Sequence, residues 1–399
     1  MRHIHGSGSV VADPLSTKTL LVVGNSFFPN NTPRANRWNY FCHKLQCHDW
    51  RIRVVSHHFE GDLLITAINF PKPVQCVPSL GYRVCRKVFS VFIFEYEIIW
   101  ALRRLLSISR KINSYKEIEI VIAYGLPLSG IILGAVLARL LGRPLVIEYG
   151  DPIDKNAARK STLLERIANK WVMRRANRVL ATNENYAKYA TQVYGRKVEC
   201  LLPIAPLLAL NENEQQIRDH FARLGKNMKF FYAGTFYKNI RSGDPFIKAL
   251  GCNKDEILFM HAGKACDQAA KCARYYNIGY IDQMLVPHYL YWADIVLYFS
   301  NDSDFQTPSK IVETAYLAKY VLAIGDSFSE FEKNLLKRTQ TVYVSNKSSV
   351  LEKALSNIAL KAKVGSKNSA DFQKKIKQIN EYNAKVVAKL NHVLNDCIL

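Results

Sequence analysis

Short apolar runs recur along this chain, and each is followed by a polar loop and then by a segment with helical spacing. The runs do not alternate between apolar and polar residues, so both faces of each predicted strand should be buried. Strands of this kind are typical of parallel sheets covered by helices on both sides. We predict strands at residues 19–24, 51–56, 119–124, 144–149, 178–182, 229–234, 256–261, 275–280, 295–299, 320–324 and 341–344.

The order of strands and helices predicts an α/β chain of two successive doubly wound domains. A proline-containing segment followed by polar residues places the boundary at 205/206. Residues 1–9 have the composition of a tag or a disordered leader, and a lysine-rich helix is predicted at 369–393. The predicted units are the leader 1–9, a first domain 10–205, a second domain 206–368 and a C-terminal helical segment 369–399.

The net charge of +22 is large for 399 residues, and residues 1–205 carry 29 Lys and Arg against 14 Asp and Glu. Such a field favours nucleic acid, an anionic membrane leaflet or phosphorylated substrates as partners. The cations are dispersed, and the sequence contains no nucleic-acid recognition motif. We therefore expect no nucleic acid as a partner, and a basic nucleic-acid-binding protein is kept as the alternative from a different functional class.

The nine cysteines are odd in number and irregularly spaced, which favours a reducing compartment over a disulfide framework. Cys266 and Cys272 near His261 do not have the spacing of a common zinc site, so no metal is predicted. The longest apolar stretch, residues 126–141, is too short to cross a bilayer. These features predict a cytoplasmic protein without a transmembrane helix.

Residues 83–113 have the pattern of a basic, aromatic and amphipathic helix, with Phe92, Tyr96 and Trp100 among several arginines. A helix of this kind can lie on an anionic membrane surface. It can equally pack one face against a core and keep its basic face in solvent. The first interpretation predicts a peripheral protein at the inner face of the cytoplasmic membrane.

A polar loop that carries cations opens the second domain at residues 232–241. Its strand ends in Gly234, and glycine lets the backbone approach a ligand closely. Lys238 and Arg241 follow within reach of the same sheet edge. Each is more often a solvated charge, but together they favour an anionic ligand.

A second such loop lies at residues 301–315. A helix is expected to begin near Pro308, with Lys310 in its first turn and Glu313 one turn further on. The N–H groups of a helix start attract anions, and Arg241 and Lys310 together would neutralise a diphosphate. An ordinary capped turn between a strand and a helix is the alternative.

These motifs resemble those of GT-B glycosyltransferases, in particular the large retaining, family 4-like group that builds bacterial polysaccharides and lipopolysaccharide. The resemblance covers most of the chain. It rests on residues 23–30 and 33–37 for the first strand and acceptor-side loop, 148–152 for the E-x-x-D-x-W turn, 234–241 for the diphosphate loop, and 279–281, 289–294 and 308–313 for the closing series.

The resemblance implies two Rossmann-like domains that face each other across a cleft, with the segment 369–399 crossing back onto the first domain. It also implies that the second domain binds a nucleoside-diphosphate sugar and the first domain a glycan or lipid-linked acceptor, without cofactor or metal. The expected diphosphate ligands are Gly234, Thr235, Lys238, Arg241, Thr307 and Lys310, and the expected ribose or sugar ligands are Glu313, Gln306 and Asp304.

One position departs from the family pattern. The first glutamate of the family's paired motif lies eight positions before Glu313, where this chain has Phe305. Asp304 is one position away and is a candidate replacement. The resemblance therefore predicts the class of reaction but not the sugar.

The first domain must present the acceptor hydroxyl. Asp151 follows the strand 144–149 at the sheet edge where ligands bind, and it is our candidate for the catalytic group that orients or deprotonates the acceptor. A turn-forming role for Asp151 is the alternative. Asn25, Ser26 and Arg34 are the candidates in the acceptor-side loop.

The expected function is transfer of a sugar to a lipid-linked or polysaccharide acceptor in bacterial surface glycan synthesis. If configuration is retained, as the resemblance implies, the departing phosphate can accept the proton. A sugar-nucleotide epimerase of the same fold is the alternative. A phosphorylase is disfavoured because no lysine has the context of a pyridoxal-phosphate site.

Overall fold

Two parallel sheets organise the chain. The computed structural model describes residues 18–27, 32–57, 59–63, 97–157, 160–206, 214–237, 240–252, 256–265, 272–361 and 367–398. Within these residues the first sheet has seven strands and the second has six. The expectation of two doubly wound α/β domains is confirmed.

The first sheet contains the strands β1 (Lys18–Gly24), β2 (Trp50–Val55), β3 (Glu60–Asp62), β4 (Ile120–Tyr124), β5 (Leu145–Tyr149), β6 (Arg178–Ala181) and β7 (Val198–Cys200). Their order is β3-β2-β1-β4-β5-β6-β7, and only β2 and β3 pair antiparallel. Its helices are α1 (Pro33–Gln46), α2 (Ile98–Arg110), α3 (Leu128–Leu141), α4 (Leu163–Arg175) and α5 (Glu184–Tyr194), with a 3-10 turn at Ile112–Tyr115.

Burial explains the apolar runs of the first sheet. Every residue of β4 and β5 is buried, because helices cover both faces at the centre of the sheet. The helices α2, α3 and α4 lie on one face, where α3 contacts both of its neighbours. The carboxyl ends of the parallel strands meet at one edge, and the loops that follow β1 and β5 leave from it.

The second domain contains α6 (Glu214–Arg223), β8 (Met228–Ala233), α7 (Asp244–Cys252), β9 (Ile257–Ala262), β10 (Tyr275–Gly279), α8 (Val286–Trp292), β11 (Ile295–Phe299), α9 (Ile311–Leu317), β12 (Tyr320–Ile324), α10 (Glu330–Leu336), β13 (Gln340–Val344) and α11 (Ser348–Lys361). The sheet order is β10-β9-β8-β11-β12-β13, all parallel. A 3-10 turn at Gln283–Leu285 precedes α8.

The last helix, α12 (Ser369–Asn395), belongs to both domains. Its first turns bury Phe372 and Ile376 in the core of the second domain. Its last turns bury Leu390 and Leu394 among Leu20 and the other core residues of the first domain. At 27 residues the helix is about 40 Å long, which is enough to reach from one core to the other. The expected crossing back of the C-terminal helix is confirmed.

Two strands were not predicted, and both lack an apolar run. The β3 sequence is Glu-Gly-Asp, and β7 is three residues long with only Val198 buried. The predicted helix at 83–113 is helical from Ile98 in the described residues, and the part before residue 97 lies outside them. Within the described residues, no helix has the length and apolar character needed to cross a membrane.

The helix expected near Pro308 begins later, at Ile311. Residues 309 and 310 form a turn before the helix starts. Lys310 is the N-cap residue, and its side chain makes no capping hydrogen bond because an ammonium group has no acceptor. This shift places Glu313, rather than Lys310, in the first turn.

Candidate functional site

A cleft runs between the two sheets at the carboxyl ends of their strands. It contains a cavity of about 440 Å³. Both domains contribute polar side chains to its wall. The predicted residues among them are Ser26, Arg34, Asp151, Arg241, Thr307, Lys310 and Glu313.

The loop after β8 forms part of the second-domain wall of the cleft. Tyr237 and Arg241 close a backbone bridge, in which each amide donates to the other's carbonyl at 3.1 and 3.0 Å. The Arg241 guanidinium lies 5.4 Å from the centre of the Tyr237 ring, and its buried Nε bonds no described residue. Arg241 lines the cleft cavity, so its positive charge lies beside the space that a ligand would occupy.

A smaller cavity of about 190 Å³ adjoins the same wall. Gly234 and Thr235 line it together with Arg241 and Lys310. The predicted diphosphate residues of the two loops are thus brought to one place. Lys238 lies outside the described residues.

His261, which the sequence did not single out for this site, is hydrogen-bonded to the backbone of the Gly234 turn. Its Nε2 donates to the Gly234 carbonyl at 2.8 Å, and the Tyr275 hydroxyl donates to its Nδ1 at 2.6 Å. Burial lowers the pKa of this histidine, which favours the neutral ring that the two hydrogen bonds require. The imidazole thereby fixes the direction of the Gly234 carbonyl.

Lys310 and Glu313 form the second group on this side. Lys310 Nζ lies 3.4 Å from Glu313 Oε1, with the Glu313 side chain 2% exposed and the Lys310 side chain 28% exposed. The carboxylate holds the ammonium at the mouth of the cavity. The arrangement offers an incoming ligand both a cation and a carboxylate acceptor.

Gln306 and Thr307 join the two domains across the cleft. Gln306 Nε2 donates to Asp151 Oδ1 at 2.9 Å, and Gln306 Oε1 accepts from the Ala157 amide at 2.7 Å. Asn183 Nδ2 donates to Thr307 Oγ1 at 3.0 Å. These residues, predicted to contact the donor, therefore contact the first domain in this arrangement of the domains.

The departure from the family pattern, Phe305, faces the first domain as well. Its ring centre is 5.4 Å from that of Tyr189, and Lys155 Nζ lies over the Phe305 ring at 5.8 Å. The neighbouring Asp304 accepts from Ser327 Oγ at 3.0 Å and does not line the cleft cavity.

Asp151 is held from both sides. Arg34 Nη2 lies 2.7 Å from Asp151 Oδ2, and Gln306 occupies the other oxygen. Arg34 also donates to the Leu126 carbonyl. At Gly125, where φ is +76°, a Cβ would lie 2.3 Å from Arg34 Cδ, so only glycine leaves room for this side chain. Asp151 is thus an oriented carboxylate with both oxygens in use.

A buried ion pair lies at the first-domain side of the cleft. Arg37 Nε donates to Glu148 Oε1 and Trp38 Nε1 to Glu148 Oε2, each at 3.2 Å. Arg37 also donates to the carbonyls of Leu201 and Leu202. Burial lowers the pKa of Arg37, and Glu148 offsets part of that effect. The pair ties α1 to β5 and to the segment that leaves the first domain.

Known structures share this architecture, although no protein-family model and no curated protein sequence matches the chain. The Anabaena HepE structure with bound UDP is 12% identical, covers 95% of this chain over all of its own length, and has a TM-score of 0.60. A glycosyltransferase from Rickettsia africae is 11% identical, with 94% and 98% of the two chains covered and a TM-score of 0.54.

This chain has the GT-B fold. A third GT-B neighbour is the UDP-GlcNAc 2-epimerase from Methanocaldococcus jannaschii, which is 14% identical over 92% of this chain and 99% of its own, with a TM-score of 0.50. At such identities the likeness is one of fold.

Some residues of this GT-B cleft had no signal in the sequence. Gln283 lies on the cavity wall and accepts a hydrogen bond from Asn36 of the first domain. Thr182 also lines the cavity, as does Asn301, which begins the predicted loop 301–315. Of the predicted acceptor-side residues, Ser26 lines the cavity and Asn25 does not. The Ser26 and Thr32 hydroxyl oxygens are 2.7 Å apart. Among the described residues, no group of three His, Cys, Asp or Glu side chains is placed to hold a metal ion.

Proposed function

We propose that this GT-B protein is a glycosyltransferase that moves a sugar from a nucleoside-diphosphate sugar to an acceptor hydroxyl. One observation carries the proposal: Arg241, Lys310 and Glu313 of the second domain line the same cavity as Arg34 and Asp151 of the first. The cations face the cleft from the domain that holds the donor in the GT-B arrangement.

The donor chemistry fits the second-domain wall. Arg241 and Lys310 both line the cavity and Lys310 is partly exposed, so together they offer two positive charges to a diphosphate. Glu313 would accept hydrogen bonds from ribose hydroxyls. The HepE structures that contain UDP and UDP-glucose support a donor of this class, since they share the fold.

In the reaction the bond between the anomeric carbon and the diphosphate oxygen breaks, and the acceptor oxygen bonds to that carbon. Arg241 and Lys310 stabilise the charge that develops on the departing diphosphate, without a metal. Because Arg34 and Gln306 engage both oxygens of Asp151, we assign that residue to orienting the acceptor. The departing phosphate oxygen then takes the acceptor's proton, and configuration is retained as in the family 4-like group.

We assign the acceptor to the lipid-linked or polysaccharide class, in bacterial surface glycan synthesis at the inner face of the cytoplasmic membrane. The support is the excess of cations in the first domain, where residues 1–205 carry 29 Lys and Arg against 14 Asp and Glu. A surface of this charge favours an acceptor presented by an anionic bilayer.

Calorimetric titration with a panel of nucleoside diphosphates tests the donor site. At least one should bind, and Arg241→Ala and Lys310→Ala should each weaken it about tenfold, as expected for a lost charge-assisted hydrogen bond. Lys333→Ala, at an exposed position on α10, is the matched control. If no nucleoside diphosphate binds the folded protein, the proposal is wrong.

A sugar-nucleotide epimerase is the second candidate, favoured by the fold shared with the Methanocaldococcus enzyme. NMR of the donor incubated with the protein alone separates the two. A transferase slowly releases free sugar and nucleoside diphosphate, whereas an epimerase converts the donor to its epimer with the diphosphate link intact.

A further inference from the structure

The outward face of α4 exposes large apolar side chains that no described element covers. Leu163 is 70% exposed, Leu164 58% and Ile167 57%, and all three lie within the first two turns. The opposite face of the same helix is buried through Val172 and Met173. Several such side chains together on one helix end are characteristic of an interaction surface.

Cations surround these apolar side chains. Arg166, Lys170 and Arg174 are exposed and recur every four residues, beside Leu163 and Ile167 on the helix surface. The one acidic residue of α4, Glu165, is buried in the capping box with Thr162. The exposed face of α4 therefore carries positive charge and apolar surface without an exposed carboxylate.

The same layer continues to α2, on the far side of α3. Leu102 is 53% exposed and Leu106 59%, and Arg103 and Arg110 are exposed beside them. Trp100, which the sequence suggested for a membrane surface, is instead buried against the core. The exposed side chains of α2 and α4 thus point away from the sheet on one side of the first domain.

This side adjoins the cleft. The loop that begins at Gly150 and carries Asp151 leads directly from β5 into α4, so the first turn of α4 lies at the same sheet edge as the cavity. A surface in contact with Leu163 and Leu164 would be next to the acceptor side of the cleft.

We propose that the α2–α4 face, defined by Leu102, Leu106, Leu163, Leu164 and Ile167 with their neighbouring arginines and lysines, docks on an anionic lipid bilayer. Leucines and isoleucine enter the interface between headgroups and acyl chains, while the cations contact anionic headgroups. Charge complementarity favours a bilayer, because the exposed charges of α4 are all positive. The proposal deepens the proposed function by stating which surface brings the acceptor side to the membrane.

Flotation of the full chain with vesicles tests this. Wild-type protein should float with vesicles that contain phosphatidylcholine and phosphatidylglycerol in equal amounts. Less protein should float with vesicles of phosphatidylcholine alone, or with the mixed vesicles in about 0.5 M salt. The double variant Leu163→Glu/Leu164→Glu should lose at least about tenfold in partitioning, since it replaces two exposed leucines that would enter the bilayer interface. Lys170→Gln should lose about fivefold.

The matched control is Val342→Glu/Tyr343→Glu, which changes two side chains of the second domain that are each 43% exposed. It should float like the wild type. Equal flotation of the α4 variant and the wild type would overturn the proposal. So would a wild-type dimer that the α4 variant converts to monomer, because the face would then be a protein interface. Calorimetry with nucleoside diphosphates is independent of flotation, so a failed docking surface and a failed donor site are distinguishable.

Discussion

Gln306 of the second domain and Asp151 of the first are bonded across the cleft, with 2.9 Å between Nε2 and Oδ1. Gln306 also accepts from the Ala157 amide, and the adjacent Phe305 packs on Tyr189. The segment 305–307 therefore holds the two domains in a closed arrangement.

Gln306→Glu should loosen this closure, because it sets a carboxylate against Asp151 and cannot donate to it. Losing one partly buried hydrogen bond costs about 1 kcal/mol and the two carboxylates repel each other, so the Ala157 amide should exchange its hydrogen several-fold faster. Hydrogen exchange with mass spectrometry on the loop that begins at Gly150 measures this. Gln340→Glu, at an exposed position, should leave the loop unchanged. Unaltered exchange in Gln306→Glu would show that the bond does not hold the domains.

Glu313→Gln should weaken binding of a nucleoside diphosphate while leaving binding of inorganic pyrophosphate nearly unchanged. The reason is that Glu313 is proposed to accept from ribose, whereas Arg241 and Lys310 hold phosphate. Loss of a charged acceptor should reduce affinity about tenfold. Parallel titrations with the two ligands check it, with Glu330→Gln as the control. Equal losses for both ligands would assign Glu313 to phosphate binding through Lys310.

Arg37→Met should destabilise the protein by about 3–5 kcal/mol, since it leaves Glu148 buried without its cation. Glu148 is fully buried, and Trp38 alone would remain as its side-chain partner. Urea unfolding measures the change. The double variant Arg37→Met/Glu148→Gln should recover part of the loss. A single variant that costs less than about 1 kcal/mol would contradict the buried pair's role.

Gly125→Ala should displace Arg34 from the cleft and lower transfer activity, whereas Gly142→Ala should not. Both glycines have positive φ, +76° and +65°, so each substitution costs about 1 kcal/mol of backbone strain. Only at Gly125 does the new methyl group meet Arg34, while nothing lies within 4 Å of the position at Gly142. The melting temperature should fall in both variants, and at least as much in Gly125→Ala. Transfer activity should fall only in Gly125→Ala, and a similar loss in both variants would refute the steric argument.

Lys367 should make stability rise in alkaline solution. It donates to the carbonyls of Trp292 and Ala293, and burial lowers its pKa from 10.5 to about 8, with Asp294 offsetting part of the effect. Between these two values the unfolded chain holds a proton that the folded chain has lost. Stability conferred by this group therefore increases with pH, by about 3 kcal/mol at most.

Lys367→Met provides the check, because it removes the titrating group and keeps the aliphatic stem. The difference in unfolding free energy between wild type and variant should shift in favour of the wild type from pH 7 to pH 10.5. A difference that is constant over this interval would show that Lys367 titrates normally.

Local sequence predicted the strands because burial on both faces demands uninterrupted apolar residues, as in β4 and β5. It missed β3, whose Glu-Gly-Asp pairs at the sheet edge without apolar side chains. The sequence also predicted that Arg241 and Lys310 share one site, because both follow parallel strands and the carboxyl ends of such strands lie at one edge of the sheet. The bond from Gln306 to Asp151 was not predictable, because it depends on how two separately folded sheets face each other.

The helix α12 has a consequence for how the chain is made. Leu390 and Leu394 complete a core whose other members include Leu20 and Trp38, so the first domain is packed by residues that the ribosome adds after the whole second domain. Until those residues are synthesised, the nascent first domain exposes an apolar groove beside β1 and α1. Translation rate and chaperone supply should then affect the yield of folded protein.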